Sequence, residues 1–339
     1  MSAIDRPKAA RIGRWLPGLI ISTIAILLLI RFSNWSEVLQ AISQINLIWL
    51  IPAILLFVVS VGLRAWVWMI LLQKKVNYGR VYLTLNEGYL LNNIFPFRLG
   101  ELGRAFILSE TTKLSGFFVL STIVIERTYD LAIAAGLFLA TLPYVFAINS
   151  GQTIAVTVLI IGIIGLLTMF FLARNRQWIK TKLDEFTLQR FVIRDRIVPK
   201  IDSFLAGLGV LASLDQFLLS IALMVLTWIF GGLELIFLSQ SFGVDLEIWM
   251  VGFIMGMITL GIAIPSAPAG LGVFEVAAVG AFSLLGLSTS AGLAIAIVFH
   301  LISIAFTGLV GMYGIFRDGE STTGLYQHLR NLRVFNSNP

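Results

Sequence analysis

The sequence predicts an all-α polytopic membrane protein with about six full spans and two re-entrant hairpins, arranged as an inverted repeat. Three observations lead to this fold class. Charged residues make up 12% of the 339 positions, against roughly 25% in soluble domains, and 58% of the residues are hydrophobic. Long apolar segments recur along the chain. The pattern Pro-x-x-Leu-Gly interrupts apolar sequence twice, at 96–100 and at 268–272.

Composition also excludes several classes of site. The chain contains no cysteine, which rules out disulfides, thiolate metal ligands and a cysteine nucleophile. His300 and His328 are its only histidines, and they are too far apart in sequence to suggest a zinc site by themselves. The net charge of +6 lies mainly in connections between apolar segments, which indicates membrane orientation rather than nucleic-acid binding. We therefore expect no metal, no cofactor and no nucleic-acid partner.

The apolar segments fall into two length classes. A full span needs about 20 apolar residues. Segments that reach or nearly reach this length are 16–31, 48–72, 116–146, 152–173, 216–240 and 289–316. Four shorter segments flank the two Pro-x-x-Leu-Gly copies, at 81–95, 99–110, 248–266 and 271–286. Proline and glycine break helices, and a break at membrane depth is tolerated only inside protein or beside a wet cavity.

Lysine and arginine predict the orientation. They concentrate before the first span, around residues 74–80, in the long loop 174–213 and in the tail 317–339. The connections 147–151, 241–247 and 287–288 contain none. By the positive-inside rule, the basic N-terminus 1–15 and the C-terminal tail are both expected in the cytoplasm, with the protein in the plasma (inner) membrane.

A repeat emerges from this topology. Residues 48–146 and 216–316 each contain a long helix, a short helix, a break, a short helix and a long helix. The first long helix of each unit is expected to cross the membrane in opposite directions, which makes the repeat inverted, within a transmembrane domain of 16–316. The alternative is eight full spans with ordinary Pro-Gly kinks. The shortness of the flanking segments and the many helix breakers favour hairpins.

The loop 174–213 is not expected to be a separate domain. Its residues 186–211 mix apolar and charged side chains, which suits a helix lying on the membrane surface. A soluble linker helix is the alternative.

Charged and amide side chains cluster around the first break. They are Glu87, Asn92, Asn93, Arg98, Glu101 and Arg104. Arg98 and Arg104 supply fork-shaped guanidinium donors suited to phosphate, and Glu101 lies three residues from each. A helix starting near Leu99 would add free N–H groups and its positive dipole end. We expect a lipid head-group site here, the alternative being arginines that reach interfacial lipid phosphates.

Further polar residues support or face this site. Glu126 and Asp130 are spaced to share a helix face, and Arg127 and Asp130 are spaced to pair. All three are expected to join Glu87 in a supporting network, either through a salt bridge to Arg98 or Arg104 or through direct contact with the ligand. The second break offers mainly backbone and one carboxylate, at Pro268, Gly270, Gly272 and Glu275. Interhelical hydrogen bonds are the expected role of Glu234 and His300, whereas the sequence leaves the role of Arg64 open.

These motifs resemble one family. Asn92-Asn93-x-x-Pro96-x-Arg98-x-Gly100-Glu101-x-x-Arg104, Glu126-Arg127-x-x-Asp130 and Pro265-x-x-Pro268-x-Gly270-x-Gly272-x-x-Glu275 occur in the order found in flippase-like proteins. That family is typified by the transmembrane region of lysylphosphatidylglycerol synthase/flippase, and the resemblance covers about residues 10–316. Ala269 departs from it, because a second glycine usually follows the proline.

The resemblance implies translocation of a polar-headed lipid between leaflets, without fixing the cargo. No Walker loop, His-Glu-x-x-His or Gly-x-Ser-x-Gly pattern occurs, so transport is expected to be downhill or coupled to an ion gradient, with Glu275 or Asp130 as candidate proton carriers. The alternatives are a polyprenyl, glycolipid or aminoacyl-lipid transferase using Glu126 and Asp130, and a scaffold for a separately encoded lipid-modifying enzyme. Membrane lipids are the expected partners, together with such an enzyme or a second copy in a homodimer.

Overall fold

The computed structural model describes residues 16–95, 98–145, 150–187, 197–264 and 266–317. Regular structure in these ranges consists of thirteen α-helices and two short 3₁₀ helices, at Leu208–Ala212 and Pro268–Gly270. The α-helices are α1 Leu16–Phe32, α2 Trp35–Ser43, α3 Leu47–Leu71, α4 Tyr78–Ile94, α5 Leu99–Thr111, α6 Gly116–Val145, α7 Ser150–Arg174, α8 Arg176–Thr187, α9 Val198–Gly207, α10 Leu214–Ser241, α11 Ile248–Gly261, α12 Val273–Leu284 and α13 Thr289–Arg317. Residues 1–15, Pro96, Pro265 and 318–339 lie outside the described residues.

Length and composition identify an integral membrane protein. Among the described helices, α3, α10 and α13 are long and apolar enough to cross a membrane. The helices α6 and α7 contain 30 and 25 residues, which is also sufficient length. Residues 20–32 and 35–43 pass the test only as a pair, and the two helices bend by 87°. The predicted all-helical polytopic class is confirmed.

The helices on either side of each break form antiparallel hairpins. In the first, α4 packs against α5, with Gly88 beside Arg104 and Asn92 beside Gly100. In the second, α11 packs against α12, with Gly261 beside Ala277. The helices α5, α11 and α12 contain only 13, 14 and 12 residues, too few for hydrocarbon about 30 Å thick.

Helix packing has the same pattern in both units. The first long helices, α3 and α10, pack against each other along much of their length. The second helix of each unit packs against the last helix of the other, α4 on α13 and α11 on α6. The two units are residues 47–145 and residues 214–317. If they are interchanged, each helix named above keeps equivalent neighbours. The hairpins therefore lie inside the bundle, flanked by helices of both units.

Residues 198–212 differ from the surface helix expected from their sequence. The helix α9 packs on α6, and the following 3₁₀ helix packs on α7. Leu208 and Val210 are fully buried and belong to the large apolar cluster of α3, α6 and α10. One apolar face therefore covers the end of the bundle, because these side chains bury more surface there than on lipid head groups. Residues 188–196 of this loop lie outside the described ranges.

Candidate functional site

The first break is held by a left-handed residue and a side-chain cap. Helix α4 ends at Ile94, and α5 begins at Leu99 after Arg98, whose φ and ψ are 52° and 38°. Left-handed backbone is strained for a residue with a Cβ. The N–H of Gly100 donates to Asn92 Oδ1 at 2.8 Å, so the side-chain oxygen of Asn92 satisfies one of the free N–H groups at the start of α5.

Arg98 connects the two breaks. Its Nη2 donates to the carbonyl oxygen of Ile262 at 2.7 Å, just beyond the end of α11. No carboxylate oxygen in the described part of the chain lies within 4.0 Å of this guanidinium group, which is partly buried. Arg98 therefore contributes a positive charge that no protein anion neutralises directly.

Glu126 is the centre of an ionic network. This carboxylate is fully buried and accepts from three arginines: Arg104 at 2.6 Å, Arg127 at 2.8 Å and Arg64 at 3.3 Å. The guanidinium group of Arg104 also stacks 4.5 Å from the ring of Trp68. A buried carboxylate is tolerated only with such partners, because desolvation is costly.

Asp130 forms the second half of the network. It accepts two hydrogen bonds from Arg64, at 2.8 and 3.0 Å, and one from Trp228 Nε1 at 3.2 Å. Arg127 lies 3.2 Å from Asp130 and 3.3 Å from Glu101. We use "ionic network" for Arg64, Arg104, Arg127, Glu101, Glu126 and Asp130.

The i,i+3 pair of Arg127 with Asp130 and the salt bridge from α6 to Arg104 agree with the sequence expectation, but one member of the network pairs differently. Glu101 was expected to hold Arg98 or Arg104, but it contacts Arg127 of a neighbouring helix. Sequence reasoning left Arg64 unassigned and did not single out Trp228. A lone arginine in a 25-residue apolar helix was the available signal for Arg64, because such a charge needs an acidic partner. Trp228 carries no comparable signal.

Glu87 of the predicted set lies elsewhere, whereas Asn93 lines both cavities described below. Glu87 is fully buried and pairs with Arg80 at 3.1 Å, and it lines neither cavity described below. Asn93 lies close to Thr307 of α13, with Nδ2 at 3.4 Å from its hydroxyl oxygen. The first hairpin is thus tied to the last helix of the other unit.

The second break uses positive φ angles and a glutamate–histidine pair. Ala269, Gly270 and Gly272 have φ angles of 58°, 75° and 84°. Glu275 Oε2 accepts from the N–H of Gly272 at 2.7 Å. Its other oxygen lies 2.6 Å from His300 Nδ1, and His300 Nε2 lies 2.9 Å from the carbonyl oxygen of Ala269. The interhelical hydrogen bond expected for His300 is confirmed.

The proton positions in this pair follow from donor chemistry. A carbonyl oxygen only accepts, so His300 Nε2 carries a proton directed at Ala269. The 2.6 Å contact requires one further proton between His300 Nδ1 and Glu275. The pair is therefore electrically neutral overall, whether that proton belongs to the ring or to the carboxyl group.

Two adjoining cavities lie between the breaks and the long helices. The polar cavity, of about 260 Å³, is lined by both breaks and includes Arg98, Arg104 and His300. The apolar cavity, of about 380 Å³, is lined mainly by apolar side chains of α3, α10, α11, α12 and α13. Asn92 and Arg127 line both cavities, which places the ionic network at their junction. This combination suits a ligand with a charged end and an apolar end.

Glu234 lies in the wall of the apolar cavity. It is 5% exposed and makes no hydrogen bond or ion pair with the described residues. The interhelical hydrogen bond expected for it from sequence is therefore wrong. No group of three or more His, Asp or Glu side chains in the described ranges has the arrangement of a metal site.

Comparisons with known proteins agree with this architecture. The family model for the lysylphosphatidylglycerol synthase TM region matches residues 15–311. A UPF0104 membrane protein of Methanocaldococcus jannaschii is 27% identical over 67% of this chain and 95% of its own length. A second UPF0104 protein of that organism is 24% identical over 86% of this chain and 91% of its own length.

A longer relative carries a different name. Glycosyltransferase AglD of Haloferax volcanii is 23% identical over 91% of this chain, and the match spans 55% of that protein. No solved structure matches the chain.

Proposed function

The chain belongs to the family of the lysylphosphatidylglycerol synthase TM region, and from this premise we propose that it moves a phosphate-bearing lipid between membrane leaflets. The head group binds in the polar cavity, and the apolar cavity accepts the start of the lipid chains. Arg98 is the primary phosphate ligand, with Asn93 and the free face of Arg127 completing the site.

The unneutralised charge of Arg98 is the observation that supports this proposal most strongly. Arg64, Arg104 and Arg127 balance Glu101, Glu126 and Asp130, which leaves Arg98 in excess beside the polar cavity. A phosphodiester supplies the one negative charge that is missing. Arginine recognises phosphate oxygens through two parallel donors, so the single bond to Ile262 leaves donors free for the ligand.

The packing supports the finer architecture of six spans and two re-entrant hairpins. The helices next to the breaks are antiparallel and mostly too short to span, and both units have equivalent neighbours. Inverted repeats with broken helices at midplane are common in secondary transporters. We propose a location in the cell membrane with both termini in the cytoplasm, as the lysine and arginine distribution indicates.

Lipid-linked glycosyl transfer is the second candidate, because AglD is named as a glycosyltransferase. The carboxylates expected to serve as its catalytic pair do not favour it. Glu126 and Asp130 are both occupied by arginines, so neither is available as a general base. A third candidate is a scaffold for a separate lipid-modifying enzyme. Like the transferase, it predicts that the protein transports no lipid by itself.

Reconstitution in liposomes tests the proposal. Fluorescent phosphatidylglycerol and fluorescent polyprenyl phosphate are followed with a leaflet-selective quencher, comparing the wild type with Arg98→Ala and Arg98→Lys. We expect faster lipid crossing than in empty vesicles, a loss of at least about 10-fold in Arg98→Ala and a smaller loss in Arg98→Lys. Arg176→Ala, which removes an arginine at the protein surface, is the matched control.

The proposal is wrong if both lipids cross no faster than in empty vesicles, or if Arg98→Ala and Arg176→Ala behave alike. Incorporation of labelled sugar into lipid by the purified protein would instead support the transferase.

A further inference from the structure

Glu234 is a buried acid without a partner in a cavity that the proposed lipid enters. It lies on α10 six residues beyond Trp228, about 9 Å further along the helix from the Asp130 contact. Gly231, between them, lines the same cavity wall. An ionised carboxylate at such a position is costly unless a positive charge compensates it. The carboxyl group of Glu234 therefore responds to the total charge of the cavities.

Few other groups in the apolar cavity carry charge or titrate. Helix α3 contributes Arg64, α4 contributes Tyr89, and α6 contributes Arg127 and Asp130. The described parts of α11, α12 and α13 contribute no charged or titratable residue to this wall. The polar cavity adds Arg98, Glu101, Arg104 and His300, and the partner of His300 is Glu275.

The charges of these groups define two neutral states. The ionic network is balanced, the His300–Glu275 pair is neutral, and Arg98 adds one positive charge. An empty site is neutral when Glu234 is ionised. A site that holds one lipid phosphate is neutral when Glu234 is protonated. An empty site with protonated Glu234 and an occupied site with ionised Glu234 each leave a net charge in a poorly solvated interior.

We propose that Glu234 binds a proton when the site binds a lipid phosphate, so that the lipid and the proton cross together. This inference rests on the proposed function and adds its ion coupling. The bound phosphate neutralises the positive charge of Arg98. The carboxylate of Glu234, which balanced that charge in the empty site, then takes up a proton from water. The same proton leaves when the lipid is released on the other side.

The two carriers expected from sequence are less suited to this role. Asp130 accepts from Arg64, Arg127 and Trp228, so protonation would remove the negative charge that pairs with two arginines. Glu275 already shares a proton with His300 and caps α12 through Gly272. Glu234 has no such contacts to lose among the described residues, and protonation does not disturb the network.

Binding of dihexanoyl phosphatidylglycerol to the full chain in detergent tests the coupling. For the wild type we expect affinity to fall as pH rises, by up to about tenfold per pH unit. Calorimetry in buffers of different ionisation enthalpy should detect uptake of about one proton per lipid bound. Glu234→Gln should bind the lipid with little pH dependence and without proton uptake. Glu234→Asp, which keeps the acid, should retain both.

Glu185→Gln is the matched control, because it removes a carboxylate at the protein surface that lines neither cavity. We expect it to keep the proton uptake. Uptake that survives in Glu234→Gln, or that is lost equally in Glu185→Gln, would overturn the proposal. Binding by the wild type with no proton uptake would overturn this inference alone. Absence of any binding or transport by the wild type would overturn the proposed function itself.

Discussion

The breaks at 96–100 and 268–272 share the pattern Pro-x-x-Leu-Gly and a common way of holding the chain. The N–H of Gly100 donates to Asn92, and the N–H of Gly272 donates to Glu275, at 2.8 and 2.7 Å. The residue before leucine is left-handed in both, with φ of 52° at Arg98 and 75° at Gly270. The two breaks therefore share a left-handed residue before leucine and a glycine N–H capped by a side chain, while the side chains around them differ.

The two breaks differ in the charge of their side chains and in the residue at the left-handed position. In the second break glycine occupies the left-handed position at little cost. The first break has arginine there, and strained residues of this kind cluster at functional sites. Its surroundings are also ionic, with Glu126 between three arginines, whereas the second break is held by the neutral Glu275–His300 pair. We infer that the first break binds charge and that the second mainly maintains shape.

The largest expected effect comes from removing one charge beside each break. Glu126→Gln leaves buried arginines without their anion, and we expect it to lower the free energy of unfolding by about 3–5 kcal/mol. Glu275→Gln should cost less than about 1 kcal/mol, because an amide accepts from Gly272 and donates to His300 Nδ1. Thermal unfolding in detergent measures both.

Glu275→Ala is the control for this pair, since it leaves Gly272 and His300 without a partner and should cost about 2 kcal/mol. Equal losses in Glu126→Gln and Glu275→Gln would show that both breaks depend on charge.

Substituting the glycines should separate close approach from backbone conformation. A Cβ at Gly100 would collide with the carbonyl oxygen of Gly88 and with Asn92, so Gly100→Ala should destabilise by about 3 kcal/mol. Gly270→Ala meets only Ser266 Oγ, at an ordinary contact distance of 3.9 Å, and acquires left-handed strain of about 1 kcal/mol. Gly136→Ala, with no atom within 4 Å of its Cβ, should cause no loss. A smaller effect at Gly100 than at Gly270 would contradict the hairpin packing.

The strained positions offer a test in the opposite direction. Ala269→Gly relieves left-handed backbone and should gain about 0.5 kcal/mol after the entropic cost of glycine. Arg98→Gly relieves the same strain but loses the hydrogen bond to Ile262, so it should be about 1 kcal/mol less stable than the wild type. Lipid transport in liposomes should fall at least about 10-fold in Arg98→Gly only, because Ala269 contributes its carbonyl oxygen and not a charge. A comparable transport loss in Ala269→Gly would remove the distinction between the breaks.

The smallest expected effect concerns an ion pair at the protein surface, which serves as a reference for the buried ionic network. Arg176 contacts Asp202 at 2.8 Å, and its hydrogen bond holds the pKa of that carboxyl group below the ordinary value. The pair therefore stabilises the fold above about pH 3.9, and its contribution is lost as pH falls through the lower folded pKa. Asp202→Asn should cost about 0.5 kcal/mol or less in unfolding near neutral pH. A loss as large as that of Glu126→Gln would mean that burial does not set the strength of the ionic network.

Sequence reasoning succeeded where the signal is local. Apolar length and helix breakers predicted where the helices end at both breaks, and segments such as 99–110 and 289–316 agree closely with α5 and α13. The cluster of polar residues around the first break was also visible, because charges inside apolar segments are rare and costly. Most of that cluster lies around one pair of cavities.

Several partners within the cluster could not be predicted, although the pairs Arg127–Asp130 and Arg104–Glu126 follow the sequence expectation. Glu101 pairs with Arg127 rather than with a neighbour on its own helix, and Asp130 is satisfied by Arg64 and Trp228 from two distant helices. These pairings depend on the depth and rotation of each helix in the bundle. The depth and rotation of a helix are set by the packing of its apolar face and cannot be derived from residue spacing.

Apolar length and residue type in the sequence predict an all-helical membrane protein and the positions of its helix breaks. They also predict that arginines and amides surround the first break. The tertiary structure alone decided that Arg98 is the arginine left without a carboxylate and that Glu234 lies unpaired in an adjoining cavity. Ion pairs require contact between side chains, and only folding brings α3, α6 and α10 together.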